Sequence, residues 1–338
     1  MPIKSWGPYT ADAIASIRQQ SYSQLELLLV TGMDHETVLD KVPSDARIRI
    51  LKRRQPGIVS ALNTGIEAAH GDYIARMNDD DLAHAHRLDT QFNYLERNPS
   101  IDICGTTIEF FSTNGSVQGG NLRYQHWLNQ TDTPESLVEQ LFVESPLPHP
   151  TWMAPARTWQ TVGAYREFNG PEDYDWLLRA WLAGLTMGKT SGASNQPDAD
   201  GPLLQWREHS ERLTHRDTRY RREAFIQLKA STLCDARCAL GLNHGRGIWI
   251  VGTGRNARYW CDALHNQQAN VLGFVDLPSD SRAQQKRHLP VIDYEQLWSL
   301  RNDSLIITAI TQPMAKGQLL QWFDQHRLVS MQDYVIGG

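Results

Sequence analysis

The segment Gly71–Asp81 constrains this chain most, because an apolar run there ends in three consecutive carboxylates. The run predicts a strand over residues 72–77 that presents Asp79, Asp80 and Asp81 at its end. Like charges this close repel one another, so we expect a cation to offset them. Hard divalent ions such as Mg²⁺ or Mn²⁺ take carboxylate oxygens and often hold phosphates. The triplet therefore predicts a metal and diphosphate site, with a solvated acidic turn as the alternative.

Further motifs surround these aspartates in a fixed order. They are Gln55–His70, Arg87–Gln91, Asn98–Gly105, His149–Met153, Val162–Arg166 and Glu172–Arg179. Together with the aspartates they resemble the family 2 glycosyltransferases of the GT-A fold, over roughly residues 7–230. So many motifs in order are more specific than any one of them.

The resemblance implies an α/β chain whose GT-A nucleotide-diphospho-sugar transferase domain has a mixed, mainly parallel sheet between helices. It also implies an inverting, metal-dependent enzyme with Mg²⁺ or Mn²⁺ as its cofactor. The expected reaction moves a sugar from a nucleotide-diphosphate donor, with a UDP-sugar as the first expectation, to a hydroxyl of a saccharide or lipid-linked acceptor. Surface polysaccharide biosynthesis is the implied setting. A degenerate, non-catalytic scaffold is the competing interpretation.

The resemblance also assigns residues to the donor and the metal. Asp80 matches the family's metal-binding aspartate, and we expect His209 beside it as a metal ligand, with a structural hydrogen-bonding role as the alternative. Asn78 replaces the family's leading aspartate, so it can accept a hydrogen bond but carries no charge. The predicted donor-binding residues are Asn63, Arg76, Asn78, Asp79 and Arg207. Asp81 is either a further ligand or the N-cap of the next helix.

The pair Glu172–Asp173 opens a predicted helix and supplies the expected base. The family's base is the aspartate of this pair, so Asp173 is the candidate, with Glu172 positioning the acceptor or tuning its neighbour. Deprotonating an attacking hydroxyl requires such a group. The alternative is that these acids only stabilise the helix dipole in its first turn.

Composition agrees with an ordinary globular enzyme. The 338 residues carry 33 basic and 38 acidic side chains, for a net charge of -5, without a dense basic block. We therefore expect no nucleic-acid partner. The four cysteines are scattered, which fits a reducing cytosol. No apolar run is long enough for a membrane span, so we expect a cytoplasmic protein and leave peripheral contact with the inner face of the membrane open.

Alternating helix and strand patterns predict two domains, a GT-A domain over residues 1–243 and a small Rossmann-like domain over residues 244–338. Within the first, residues 203–240 are expected to supply a closing strand and helices. Residues 114–135 read as a polar excursion and residues 191–201 as a flexible loop.

The second domain opens with a strand that runs into a glycine turn. Gly252, Gly254 and Ala257 form a fingerprint ahead of a helix, and Asp276 ends the next strand. Such glycines allow a phosphate at the helix N-terminus, and the acid can bind a ribose hydroxyl. A bound nucleotide and a structural or oligomerising unit both remain open. A nicotinamide-dependent activity is a weaker alternative, because the domain leaves little room for a substrate.

Two departures from the family pattern weaken the case for activity. The chain has Thr31–Asp34 where the family presents acids that read the nucleotide base, so that residue is missing or displaced to Asp34. The family's first apolar strand is only entered at its end by Met1–Tyr9. We therefore expect this strand to be absent or encoded upstream, which would expose ladder groups beside the donor site.

Overall fold

The structure is a computed structural model. It describes residues 1–32, 35–113, 115–191, 201–210, 212, 217–236, 240, 246–276, 284–301 and 304–338. The chain divides into two compact units, of which the first comprises residues 1–138, 146–168 and 172–216 and the second residues 139–145, 169–171 and 217–338. The stretch 217–243 thus groups with the second unit, whereas the sequence analysis assigned it to the first domain. The domain boundaries stay a prediction.

Short strands and helices alternate up to residue 216. The strands are β1 Pro2–Ile3, β2 Leu27–Thr31, β3 Ile48–Lys52, β4 Tyr73–Ala75, β5 Leu82–Ala83, β6 Ile103–Thr106, β7 Ile108–Phe111, β8 Met153–Pro155, β9 Met187–Thr190 and β10 Leu204–Arg207. The helices are α1 Thr10–Arg18, α2 His35–Lys41, α3 Ile58–Ala68, α4 Arg87–Arg97, α5 Gly119–Gln130, α6 Pro134–Gln140, α7 Ala156–Val162 and α8 Glu172–Leu182, with a 3₁₀ turn at His149–Thr151. Helix α4 ends at Arg97 because the next residue precedes Pro99 and leaves the α region.

The polar excursion predicted over residues 114–135 contains helix α5, and α6 begins at Pro134. Helix α5 buries little apolar surface, so hydrophobic periodicity gave no signal for it. Tertiary hydrogen bonds hold it instead. The Asn129 amide donates to the Ile108 carbonyl at 2.8 Å and accepts from the Ile108 N–H at 2.9 Å. The side chain of Asn129 therefore occupies the edge of β7 as a neighbouring strand would.

A buried lysine binds the C-terminal end of α5. Lys189 of β9 donates from Nζ to the carbonyl oxygens of Leu128, Thr131 and Pro146, at 2.5, 2.6 and 2.9 Å. The first two carbonyls belong to the last turn and C-cap of α5. A cation is favoured at this end of a helix by the backbone dipole. One ammonium thus satisfies three buried acceptors with its three donors.

The strands of the first unit form three separate sheets, ordered β1-β2-β3, β5-β10-β7 and β4-β8-β6-β9. A cavity of about 430 Å³ lies where β2 and β4 face each other, with walls that include Leu28 of β2, Leu62 of α3 and Tyr73 of β4. Strand β1 pairs in parallel with Val30 and Thr31 of β2, and the cavity continues along the same edge of β2. The expectation of an absent first strand is corrected to this extent: two of its residues are paired, and an apolar slot lies ahead of them along β2.

Parallel strands make up the core of the second unit. Its strands are β11 Gly247–Val251, β12 Val271–Val275, β13 Gln285–Lys286, β14 Leu289–Ile292, β15 Ser304–Thr308 and β16 Tyr334–Ile336. Its helices are α9 Arg222–Asp235, α10 Arg255–Asn266, α11 Tyr294–Leu300 and α12 Pro313–Gln325, after a 3₁₀ turn at Thr218–Tyr220. The sheet order is β13-β14-β12-β11-β15-β16, and β13 alone is antiparallel to its neighbour. The order reverses beside β11, as in a doubly wound Rossmann-like sheet.

No helix in the described part of the chain is long and apolar enough to span a membrane. Most of the predicted loop at residues 191–201 lies outside the described residues.

Candidate active site

Strand pairing brings the aspartate cluster against the segment that follows β10. Strand β10 pairs antiparallel with β5, so that Leu204 lies opposite Ala83 and Gln205 opposite Leu82. Residues after Gln205 must then run past the residues before Leu82. Oδ2 of Asp80 accordingly lies 2.9 Å from Nε2 of His209, and both side chains are only partly exposed.

Asp81 has a structural role in this cluster. Its side chain is fully buried, and its two oxygens accept hydrogen bonds from the Arg207 backbone N–H at 2.9 Å and the Asn78 amide at 2.8 Å. The N-cap of α4 is His86, so the prediction that Asp81 caps this helix was wrong. Asp81 instead fixes the end of β10 to the turn between β4 and β5.

The acidic triplet is electrostatically strained, as the sequence predicted. Burial, reinforced by the charge of Asp80, raises the pKa of Asp79 to about 7. The same two causes raise the pKa of Asp81 to about 7. A cation bound at this turn would favour the charged carboxylates and relieve the repulsion.

Arg207 is buried in an aromatic sandwich. Its guanidinium carbon lies 4.1 Å from the ring centre of Tyr9 and 4.4 Å from that of Phe111, and its Nε donates to the Asp80 carbonyl at 2.7 Å. Only 2% of the residue is exposed. The guanidinium therefore supports the Asp80 turn in this structure, and its role in donor binding stays a prediction.

Arg76 lies at the end of β4, where its charge acts on both groups of carboxylates. It donates to the side-chain oxygen of Asn78 at 3.0 Å. Burial lowers the pKa of Arg76, while the carboxylates of Glu172, Asp173 and Asp81 oppose that shift through their charges. Its buried Nε has no hydrogen-bond partner among the described residues. The structure thus brings Arg76 and Asn78 together with the acidic cluster.

Glu172 and Asp173 lie in the first turn of α8 in different environments. Glu172 is 3% exposed, whereas the Asp173 side chain is 26% exposed. Oδ1 of Asp173 accepts from the N–H of Tyr174 at 2.8 Å. Of the two acids, Asp173 is the one that an incoming hydroxyl can reach.

Arg179 of α8 holds the Val162–Arg166 motif against that helix. Arg179 donates to Asp175 and also to the carbonyl oxygens of Val162 and Ala164, at 2.6 and 2.9 Å for the two carbonyls. These contacts tie the Val162–Arg166 motif to the Glu172–Arg179 motif. They also hold the loop that carries Tyr165.

Asn63 of α3 is engaged with this loop. Its amide donates to the Tyr165 carbonyl and accepts from the Tyr165 N–H, both at 2.9 Å. Both ends of the amide are therefore used within the protein. Donor binding by Asn63 stays a prediction, and the structure does not bring it into hydrogen bonding with the other predicted donor residues.

A histidine that the sequence analysis gave no role lies between these elements. Nε2 of His149 lies 2.7 Å from the Tyr165 hydroxyl oxygen, and its Nδ1 lies 3.9 Å from Oδ2 of Asp173. The sequence signal was its position at the head of the His149–Met153 motif. Only the fold shows that this position is beside Asp173.

Asp80 and His209 offer an oxygen and an imidazole nitrogen to a cation. Both donor types suit Mn²⁺, and carboxylates suit Mg²⁺. Among the described residues, no group of three or more His, Cys, Asp or Glu side chains is arranged to hold a metal ion. The pair therefore fits a metal that takes its remaining ligands from a diphosphate and water.

A comparison with protein families covers the N-terminal part of the chain. Residues 1–146 match the family model described as Glycosyl transferase family 2. This part of the chain is therefore similar to glycosyl transferase family 2.

Two curated relatives that match part of this chain are described as glycosyltransferases. The bifunctional glycosyltransferase pgtA of Dictyostelium discoideum is 28% identical over 235 residues, which cover 61% of this chain and 30% of that protein. The putative glycosyltransferase EpsE of Bacillus subtilis is 29% identical over 184 residues, which cover 52% of this chain and 63% of EpsE. The chain thus spans less than two thirds of the length of either relative.

One solved structure shows the same fold. The crystal structure of S. aureus TarS 1-349 in complex with UDP-GlcNAc aligns with a TM-score of 0.50 at 12% identity, over 78% of each chain. At this identity the likeness extends to the fold alone. It agrees with the GT-A architecture expected for a family 2 transferase.

The departure from the family pattern at Thr31–Asp34 is partly visible in the first unit. Thr31 is fully buried, and its hydroxyl lies 2.7 Å from Nδ1 of His35 while it donates to the Leu51 carbonyl. Its side chain is thus engaged inside the fold. Asp34, the alternative base-reading residue, lies outside the described residues.

In the second unit the glycine fingerprint lies between β11 and α10. Gly252 has a φ of 104°, a conformation that side-chain-bearing residues rarely adopt. The hydroxyl of Thr253 contacts Oδ2 of Asp276. Ala257 is a buried residue of α10. Gly254 caps that helix without a side chain. Nucleotide binding here stays a prediction.

Proposed function

We propose that this chain is an inverting, metal-dependent glycosyltransferase that moves a sugar from a nucleotide-diphosphate donor to an acceptor hydroxyl. The observation that carries the proposal is the presence of two separate carboxylate sites in the first unit. One is Asp80 in contact with His209, and the other is the partly exposed Asp173. Arg76 acts electrostatically on the second site and on Asp81 beside the first.

Asp80 and His209 would hold the metal, which when bound neutralises the diphosphate leaving group. Asn78, Asp79 and Arg76 lie at the same strand end and would contact the donor. Arg207 keeps the Asp80 turn in place through its carbonyl. Fixed contacts of this kind reduce the reorganisation needed when charge develops on the departing diphosphate.

Asp173 would act as the general base. Its carboxylate takes the proton of the acceptor hydroxyl as the new carbon–oxygen bond forms at the anomeric carbon. The bond from that carbon to the diphosphate oxygen breaks at the same time, and the nucleoside diphosphate leaves with the electron pair. A single displacement of this kind inverts the anomeric configuration. Buried Glu172, its neighbour in the chain, would help to position the acceptor or tune Asp173.

A UDP-sugar is the donor to test first. The structurally similar S. aureus protein is described in complex with UDP-GlcNAc, which supports this order of testing. The acceptor is a hydroxyl of a saccharide or a lipid-linked saccharide, in the setting of surface glycan assembly. This setting follows from the family resemblance and leaves peripheral contact with a membrane face open.

Variants of the two carboxylates test the proposal by role. Asp80→Ala should weaken Mn²⁺-dependent donor binding and turnover together, because the ground state and transition state both lose charge neutralisation. Asp173→Asn should lower turnover by roughly a hundredfold or more while donor affinity stays nearly unchanged. Calorimetric titration of donor with Mn²⁺ and steady-state transfer kinetics measure both effects.

Asp89→Asn is the matched control for Asp173→Asn. Asp89 is an acid in the first turn of α4, so it interacts with a helix dipole without a proposed chemical role. Equal losses in both variants would favour the helix-dipole interpretation of Asp173. Near wild-type turnover in Asp173→Asn would exclude it as the base, and donor binding that ignores both metal and Asp80 would exclude the metal site.

A further inference from the structure

His149 is a buried histidine that touches the proposed base. It opens the 3₁₀ turn His149–Thr151, and 8% of the residue is exposed. Its ring packs edge-on against Trp152, with ring centres 4.6 Å apart. The two ring nitrogens point to different partners, Nε2 to the Tyr165 hydroxyl and Nδ1 to the Asp173 carboxylate.

The surroundings of the ring determine its protonation. Burial lowers the pKa of His149 well below its usual value, and the charge of Arg76 lowers it further, so the ring is neutral. Burial raises the pKa of Tyr165 well above its usual value, and the carboxylates of Asp173 and Glu172 add to that shift against Arg76. The Tyr165 phenol therefore keeps its proton.

A neutral imidazole has one donor and one acceptor nitrogen. Because the Asp173 carboxylate that faces Nδ1 can only accept, the ring proton resides on Nδ1, and Nε2 accepts from the O–H of Tyr165 over 2.7 Å. The opposite tautomer would direct the Nδ1 lone pair at the Asp173 carboxylate, which is repulsive. The contacts thus select the tautomer whose N–H faces the proposed base.

We propose that His149 is a positioning residue, whose Nδ1–H orients the Asp173 carboxylate to receive the acceptor's proton. The inference rests on the function proposed above, because it takes Asp173 as the base. The separation of 3.9 Å is longer than a direct hydrogen bond, and contacts of this kind commonly tighten when substrate binds. The other carboxylate oxygen already accepts from the Tyr174 N–H, so the two donors together fix the plane of the carboxylate.

The ring itself is held from α3. Asn63 binds the Tyr165 backbone through both ends of its amide, and the Tyr165 hydroxyl binds His149. A neutral donor orients Asp173 without placing a further cation beside it. The arrangement therefore keeps the base both fixed and able to take a proton.

Two substitutions separate the ring nitrogens. In His149→Asn the amide nitrogen can occupy the place of Nδ1, whereas in His149→Gln it reaches the place of Nε2. We expect His149→Gln to lower kcat by about tenfold with an unchanged donor KM, and His149→Asn to keep kcat within about threefold of wild type. Equal kcat values for the two variants would overturn the proposal. Unfolding midpoints of both variants show that each is folded.

A double-mutant cycle tests whether the effect passes through Asp173. If His149 acts by orienting that carboxylate, adding His149→Gln to Asp173→Asn should cause little further loss of kcat, since the orienting contact is already gone. A further loss of about tenfold in the double variant would mean that His149 acts independently, and would overturn the proposal.

A spectroscopic measurement tests the tautomer of His149 without measuring turnover. Nitrogen-15 NMR of the histidine rings in the full chain should show His149 as the neutral Nδ1–H tautomer, with no titration near the usual histidine pKa. An Nε2–H tautomer, or a ring that titrates near the usual value, would overturn the inference. Because this result is independent of donor turnover, failure of the inference and failure of the proposed function can be told apart.

Discussion

Oδ2 of Asp80 lies 2.9 Å from Nε2 of His209, although 129 positions separate the two residues in the sequence. Antiparallel pairing of β5 with β10 produces this contact. One oxygen and one nitrogen donor thus meet beside a carboxylate cluster whose charges repel.

His209→Ala should weaken Mn²⁺ binding in the presence of UDP by about tenfold or more, because the metal would lose one of its two protein donors. Electron paramagnetic resonance of free Mn²⁺ during a titration measures this affinity directly. His126→Ala is the matched control, since this histidine is exposed on α5. Unchanged Mn²⁺ affinity in His209→Ala would assign that side chain a structural role.

In the presence of a chelator, the protein should lose stability as the pH rises from about 4 to about 7. Asp79 and Asp81 have a raised pKa of about 7 in the folded state, so folding keeps protons that the unfolded chain releases near pH 4. Their stabilising contribution is complete below the unfolded value and is lost as the pH passes the folded value.

Mn²⁺ should therefore raise the unfolding midpoint more at about pH 8 than at about pH 5, where protons compete with it. Thermal unfolding with and without Mn²⁺ at both pH values tests the two statements. A metal effect that does not depend on pH would contradict them.

Lys189→Met should reduce the free energy of unfolding by about 3 kcal/mol or more, because three buried carbonyl oxygens would lose a charged donor. Denaturant unfolding measures the change. Lys52→Met provides the control, since Lys52 is exposed at the end of β3. A similar small effect in both variants would mean that Lys189 does not hold α5 in place.

The slot beside β2 should accept an added strand. The N–H group of Met1 donates to the Leu28 carbonyl, and the Val30 N–H donates to the Met1 carbonyl, so a segment of about four Val or Ile residues fused ahead of Met1 would continue this ladder. We expect such a fusion to stabilise the protein by about 2 kcal/mol, or roughly 5 °C in Tm. A Gly/Ser extension of the same length is the control, and equal Tm values for both fusions would contradict the expectation.

Local pattern was sufficient for many elements of the fold. The strand predicted over residues 72–77 contains β4, the strand predicted ahead of the glycine turn is β11, and β12 ends just before Asp276 as predicted. Helix α5 could not be predicted this way, because its anchors are the contacts of Asn129 and Lys189 with distant residues. Hydrogen bonds between distant segments leave no periodic signal in the sequence.

The candidate site could likewise be predicted only in part from the sequence. The family resemblance singled out Asp80, His209 and Asp173, while the contacts of Asp81 with Arg207 and of His149 with Tyr165 depend on strand pairing and loop packing. A histidine at the head of a motif does not by itself indicate which side chain it will meet. The buried state of Arg207 was likewise not evident from its neighbours in the sequence.

The most direct test of the account is release of nucleoside diphosphate from a panel of nucleotide-sugars with Mn²⁺, measured for the wild type and for Asp173→Asn. The account predicts metal-dependent release by the wild type with at least one donor, increased by a saccharide acceptor. It also predicts loss of acceptor-dependent release in Asp173→Asn, while that variant still binds the donor. Absence of release with every donor and acceptor, or undiminished transfer by Asp173→Asn, would contradict it.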